Sequence, residues 1–260
     1  MENKGLEYYR RELLPQMASI DTCVITNIGA ESVEDFVEVA AALSDEPVVD
    51  ALEVNLSCPN VQGGKLPFAT DPATAARVIE RVKAVARKPI FAKLSPNVTR
   101  IGEMAVAVEA AGADAVTAVN TVLGMSVNWR TRHPGLNTIQ GGYSGVGIKP
   151  IALRCAWECA RAVKIPVIGC GGIRTADDVL EFLVVGCRAV QIGTASFSDP
   201  GIVGRLSGEL SALLDAEGLA DVNELVGTLG APVTVHETKR TEPNPARAGA
   251  VPLRRGGAPT

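Results

Sequence analysis

No stretch of the 260-residue sequence reaches the ~18 uninterrupted apolar residues that a membrane span requires, so none is expected. The opening run, MENKGLEYYRRELL, is charged and lacks the apolar core of a secretory signal. None of the six cysteines (Cys23, Cys58, Cys155, Cys159, Cys170 and Cys187) forms a C-x-x-C pair. Zinc and iron–sulfur ligation within this chain are therefore not expected. His133, in RTRHPG, has no second histidine or carboxylate pattern beside it and reads as a loop residue. No G-x-G-x-x-G follows a first strand, which weighs against an open dinucleotide-binding sheet. Positive charge is in deficit: the formal net charge of −4 argues against a general nucleic-acid binder.

What is present is apolar material in short, regular doses. Hydrophobic residues make up 47% and charged residues 21%, which excludes wholesale disorder and leaves room for one large core. Runs rich in Val, Ile and Ala lie at Cys23–Ile28, Ala51–Leu56, Pro89–Leu94, Ala115–Asn120, Pro166–Gly169 and Ala189–Ile192. They lack polar alternation, as expected of parallel strands covered on both faces. Amphipathic segments separate them. Asp71-Pro72 supplies an N-cap and a first-turn proline, and Thr175-Ala-Asp-Asp178 is close to a capping box. Ala176, Val179, Leu180 and Leu183 share one helical face, and Gly112 and Gly186 sit where helices end.

An opening helix over about 5–17 followed by repeated β-α units predicts an α/β chain of the (β/α)8 TIM-barrel type. Six strands are legible where a closed barrel has eight, so six β/α units are expected. The predicted barrel domain covers residues 1–230, with the helix packed outside. The Pro, Arg and Gly-rich stretch over 231–260 reads as a disordered tail, Arg254-Arg255 included.

Several polar residues stand at the carboxyl ends of these runs: Asn27, Asn55, Lys93, Asn120, Gly171-Gly172 and Gly193-Thr194. In a barrel they converge on one rim, and glycine-rich backbone after the last two strands is where phosphate commonly binds. Lys93 shares a face with Phe91. A lysine packed under helices would be an unpaired buried charge, so an inward direction is the cheaper one. Glu53 has the parity of Asn55, and Lys93 on the next strand is its candidate partner; a core ion pair with no further role is the competing reading. Cys58, on a polar loop between Ser57 and Pro59, is not placed like a core cysteine, and a rim thiol can act as a base or nucleophile. Gly63-Gly64 give that loop freedom to open and close. The other cysteines, including Cys155 and Cys159 one helical turn apart, read as reduced, buried thiols of a cytoplasmic protein.

NLSCPN, KLSPN, AVNTVLGM, GGYSGVGIKPIALR, GCGGI and QIGTA, in order over about residues 3–207, resemble class 1 dihydroorotate dehydrogenases. VQGG followed by FATDP, and NTVLGM, are similar to the heteromeric 1B branch rather than the fumarate-using 1A branch; membrane-linked class 2 enzymes carry serine at the place of Cys58. The resemblance implies a (β/α)8 barrel holding FMN at its carboxyl rim. It implies that Cys58 is the catalytic base, that Asn55 touches flavin and substrate, and that Lys93 lies beside the flavin ring. Asn27 and Val119 match flavin contacts. Gly145, Gly171, Gly172, Gly193 and Thr194 match the ribityl and phosphate site. Asn60, Asn120 and Thr121 match contacts to the pyrimidine. The implied reaction removes a proton and a hydride from dihydroorotate to give orotate in pyrimidine synthesis. The implied partner is an electron-transfer subunit with FAD and a [2Fe–2S] cluster linked to NAD, in a homodimer or heterotetramer.

The two strands not found correspond to the family's first two, which normally bring a lysine and an Asn-x-x-Gly-Leu-x-Asn loop to the site. Weak or no flavin binding and little turnover are accordingly expected of residues 1–260 alone. Two other readings stand beside the leading one: a pyrimidine-reducing flavoprotein similar to dihydropyrimidine dehydrogenase, and a truncated, non-catalytic remnant with exposed sheet edges.

Overall fold

A computed structural model of the protein describes residues 4–57 and 67–231. Cys58, Asn60 and Gly63-Gly64, with the roles expected of them, lie outside the described residues. The chain divides into two units, Met1–Leu229 and Gly230–Thr260; of the second only Gly230 and Ala231 are described.

The six expected strands all form. They are β1 (Ile25–Ile28), β2 (Ala51–Asn55), β3 (Ile90–Leu94), β4 (Ala115–Ala118) and, after four short strands in between, β9 (Val167–Cys170) and β10 (Ala189–Gln191). They make one parallel sheet in the order β1-β2-β3-β4-β9-β10, with β1 and β10 at its edges. Helices cross over between successive strands, among them Val33–Ser44, Pro72–Lys83, Ile101–Ala110, Lys149–Ala162 and Ala176–Val184. Such a one-directional β-α series curls toward a barrel, and among the described residues it forms part of one.

The helix starts follow from side-chain capping. Asp71 accepts from the backbone N–H of Thr74 at 2.8 Å. Thr175 closes a complete box: its Oγ1 accepts from Asp178 N at 3.2 Å while the Asp178 carboxylate takes Thr175 N at 2.8 Å. Ser32 makes the same box with Asp35. Gly112 (φ +97°) and Gly186 (φ +113°) follow helix ends in the left-handed half of the map. The core lies between sheet and helices, centred on Phe36, Leu43, Leu52, Ile79, Ile90 and Phe182. A Cβ on Gly169 would come within 2.3 Å of Phe182 Cδ1, so the bare backbone of β9 is what admits this ring.

The helical N-terminus, Leu6–Met17, includes a π-helical stretch at Tyr9–Leu13 and rests on the helix-covered side of β1, where Tyr9 Oη and Thr26 Oγ1 are 2.8 Å apart. Three expectations need correction. The first strand begins at Ile25, where its pairing with Ala51 begins, and Cys23 is exposed rather than buried. Burial on both faces holds for β2 and β4 but not for β1, whose Ile25 is 44% exposed because its inner face looks into an open concavity. Between β4 and β9 the chain also makes two small antiparallel ribbons that the runs do not announce. They pair β5 (Val122–Met125) with β8 (Gln140–Tyr143) and β6 (Val127–Asn128) with β7 (His133–Pro134). Strands of two to four residues, with glycines at 124, 141 and 142, are too short to show a period.

Candidate functional site

The inner face of the sheet carries a polar cluster built by strand parity. Register places Asn27 beside Glu53, and Asn55 beside Lys93 beside Thr117. Glu53 is 3% exposed and accepts four hydrogen bonds. Oε1 takes Asn27 Nδ2 at 2.7 Å and Lys93 Nζ at 3.1 Å; Oε2 takes Thr117 Oγ1 and Gln191 Nε2, both at 2.6 Å. Lys93 Nζ also donates to Gln191 Oε1 at 2.7 Å. The anticipated Glu53–Lys93 ion pair is thus present and is part of a larger network. Burial pushes the Glu53 carboxyl up. The Lys93 charge and the hydrogen bonds from Thr117, Gln191 and Asn27 outweigh it, so the group sits below the ordinary carboxylate value.

One step closer to the rim, Asn120 Nδ2 donates to Asn55 Oδ1 at 3.0 Å and to Ser57 Oγ at 2.8 Å. Ser57 holds Asn55 in turn through its N–H and hydroxyl. Asn97 pins the following loop, accepting from Leu123 N at 2.8 Å and donating to the Thr121 carbonyl at 3.2 Å.

Two concavities meet here. One, lined by Ile25, Asn27, Glu53, Asn55 and Ile192, is open and about 530 Å³. The other, about 330 Å³, is lined by Val119, Thr121, Ser144, Gly145, Cys170, Gly171, Gly172, Gly193 and Thr194. Lys93, Asn120 and Gln191 belong to both. The second volume falls within the usual range of small-molecule sites. Thr194 Oγ1 donates to Ser144 Oγ at 2.9 Å, tying the loop after β10 to the turn before Lys149. Cys170, expected among inert core thiols, is only half-buried and lines this cavity. Burial pushes its thiol up, with the Lys93 charge acting against that. The other interior thiols are inert, burial holding Cys155 up to about 11 and Cys187 up to about 12.

The glycine loop after β9 is fastened from behind. Asp178 accepts from Lys149 Nζ at 2.6 Å and from the backbone N–H groups of Arg174 and Thr175, both at 2.8 Å. Gly172 (φ +80°) packs so close that a Cβ would lie 2.7 Å from Lys149 Cβ and 2.8 Å from Lys149 N. Gly172→Ala is accordingly expected to destabilise the chain by about 1–3 kcal/mol, through left-handed strain and this clash. A urea midpoint within error of wild type at unchanged slope contradicts that account.

The structure therefore brings Asn27, Asn55, Lys93, Val119, Asn120, Thr121, Gly145, Gly171, Gly172, Gly193 and Thr194 to one end of the sheet. Sequence reasoning passed over Gln191, Thr117, Ser57 and Ser144 as site residues. Gln191 and Thr117 had a signal, being lone polar residues inside apolar strands. Among the described residues no group of three His, Cys, Asp or Glu is placed to hold a metal ion. No helix there is long and apolar enough to cross a membrane.

The sequence model of the family described as dihydroorotate dehydrogenase matches residues 1–214. The chain is 47% identical over 227 residues to the protein of Geobacillus sp. (strain WCH70) named dihydroorotate dehydrogenase B (NAD(+)), catalytic subunit, covering 87% of this chain and 72% of that one. It is 46% identical to the protein of the same name from Geobacter sulfurreducens, covering 88% and 75%. Among solved structures, DHODH from Eimeria tenella in complex with ferulenol superposes with a TM-score of 0.69 at 20% identity. That match covers 86% of this chain and 66% of the other, just under two thirds of its length, and speaks to the fold alone. Matched over most of its length in sequence, and built as a β/α sheet with its polar residues gathered at the strand ends, the chain belongs to the dihydroorotate dehydrogenase family.

Proposed function

We propose that this chain oxidises dihydroorotate to orotate in pyrimidine biosynthesis, with FMN as its cofactor and Cys58 as its base. The carrying observation is the pair of concavities at the strand ends, one glycine-lined and one polar, joined through Lys93, Asn120 and Gln191. A long ligand with an anionic end and a flat polar ring fits that division. The backbone at Gly145, Gly171, Gly172 and Gly193 would hold the ribityl-phosphate, since positions without side chains let main-chain N–H groups approach a phosphate, with Thr194 beside them. Asn27, Val119 and Lys93 would meet the ring. When bound, FMN supplies the hydride acceptor at its N5.

The chain's own residues do the rest. Asn55, Asn120, Thr121 and Asn60 offer amide and hydroxyl groups to the edges of the pyrimidine. The Asn120–Asn55 and Asn120–Ser57 bonds support this for Asn55 and Asn120, whose side chains point at one another. A planar substrate exchanging those bonds for its own is oriented without leaving polar groups unpaired. Cys58 Sγ would take the proton from the ring carbon beside the carbonyl. Since the relatives are named as catalytic subunits of an NAD(+) enzyme, NAD⁺ reduction is assigned to a second subunit bearing FAD and a [2Fe–2S] cluster. The working assembly would be a homodimer or a heterotetramer with that subunit, in the cytoplasm.

Anaerobic mixing of the FMN-loaded chain with dihydroorotate tests the reading. Bleaching of the flavin absorbance by dihydroorotate, and not by dihydrouracil, is the expected result. Bleaching by dihydrouracil alone transfers the assignment to a dihydropyrimidine dehydrogenase-like reaction. Absence of any FMN binding sinks both. Robust NAD⁺ reduction by the chain alone contradicts the partner assignment.

A further inference from the structure

We propose that Glu53 is the positioning residue of this site, its carboxylate fixing where the Lys93 ammonium and the Gln191 amide point. Its four donors come from four other strands: Asn27 from β1, Lys93 from β3, Thr117 from β4 and Gln191 from β10. β10 lies at the far edge from β1, so Glu53 braces the concave face across its opening. An ion pair serving only the core has no need of this reach. Three of the four donors, Asn27, Lys93 and Gln191, line the concavities themselves.

The chemistry of the groups leaves one arrangement. A carboxylate only accepts, so Gln191 must turn Nε2 to it, which presents Oε1 to Lys93. Lys93 spends two of its three protons on Glu53 and Gln191 and has one for the cavity. Glutamine at 53 is not a conservative change. Each carboxylate oxygen accepts two hydrogen bonds, so an amide NH₂ in either place faces two donors. Lys93 has only donors, so an NH₂ on its side turns it away. With the NH₂ on the other side Thr117 can rotate to accept, but Gln191 must swing away or flip its amide and so withdraws the oxygen it offers Lys93. Either way Lys93 loses an acceptor.

This inference rests on the FMN reading for what the ammonium meets, so its test has an arm that needs no cofactor. In the full chain, dissociation constants are measured for oxidised and for dithionite-reduced FMN. Glu53→Gln should weaken binding of the reduced form relative to the oxidised form about tenfold, equivalent to a two-electron potential about 30 mV lower. Lys93→Met should give the same shift, with no further change in the double variant. Thr117→Val keeps the volume, removes one hydrogen bond from Glu53 and touches neither concavity, Thr117 being 0% exposed. It should shift the ratio the same way by about threefold, and it decides the matter if Glu53→Gln does not fold.

In the cofactor-free arm, the ¹⁵N signal of the Lys93 ammonium, assigned by its loss in Lys93→Met, should be visible in wild type and absent in Glu53→Gln. A higher potential in Glu53→Gln with or without Lys93 means that Glu53 acts by charge alone and overturns the proposal. An unchanged ratio with the ammonium signal intact marks a core ion pair and also overturns it. If wild type binds neither form of FMN, the cofactor reading falls. The ammonium arm then judges Glu53 by itself: a signal that persists in Glu53→Gln overturns its role, and a lost one sustains it.

Discussion

Cys58→Ala is expected to slow reduction of the bound flavin by dihydroorotate by ~10²–10⁴-fold, the usual cost of losing a general base. The FMN dissociation constant should stay within about twofold of wild type, because the base contacts substrate rather than cofactor. The resemblance implies this role for Cys58, and the described cysteines offer no evident competitor. Cys155, Cys159 and Cys187 are buried, Cys23 is exposed on the approach to an edge strand, and burial pushes Cys170 away from thiolate. Cys58 directly follows Ser57, which hydrogen-bonds Asn55 and Asn120. Cys58→Ser should leave a slow enzyme with its pH optimum moved upward, a hydroxyl being a far weaker acid than a thiol. Stopped-flow flavin reduction at near wild-type rate in Cys58→Ala removes the base from this residue.

Lys93→Met should have the largest effect on stability, a loss of about 3 kcal/mol at pH 7, near the low end for breaking a buried ion pair. The side chains of Lys93 and Glu53 are only 15% and 4% exposed, so solvent screens little of their attraction. Three neutral donors, Asn27, Thr117 and Gln191, stay on the carboxylate and keep the loss from being larger. Against a total stability of roughly 5–15 kcal/mol this is severe.

Its pH dependence has a definite sign. In wild type the Glu53 pKa is depressed, so its stabilisation is present above the ordinary value of 4.5 and is lost as pH falls through the lower folded value. Removing Lys93 takes away the main opponent of the burial that pushes Glu53 up. The variant is then relieved by protonation at a pH where wild type still draws on the charged pair. The stability gap between the two proteins should narrow on acidification from pH 7 toward 4.5, read from urea midpoints. A gap that is constant or widens contradicts the assignment of Lys93 as the partner of Glu53.

By itself the sequence determined the parallel strands, their order and the caps of the helices between them. These are local properties: an apolar run of four to six residues, an Asp or Thr three residues before an N–H in need of an acceptor, a glycine where φ turns positive. The motif residues at the strand ends were legible for the same reason, since strands running in one direction present their carboxyl ends together. Parity, together with the cost of an unpaired lysine under helices, predicted that Glu53 and Lys93 would share the inner face. Tertiary structure decided what no spacing contains. Gln191 stands 138 residues from Glu53 and reaches it only because the sheet curls, bringing β10 across the concavity from β2. Thr117 joins through register, not through sequence distance. The ribbons at Val122–Tyr143 were hidden because strands of two to four residues carry too few positions for a period. Cys170 passed for a core thiol because a cysteine directly after an apolar run looks alike whether it faces a helix or a cavity, and only the tertiary direction of the strand distinguishes the two.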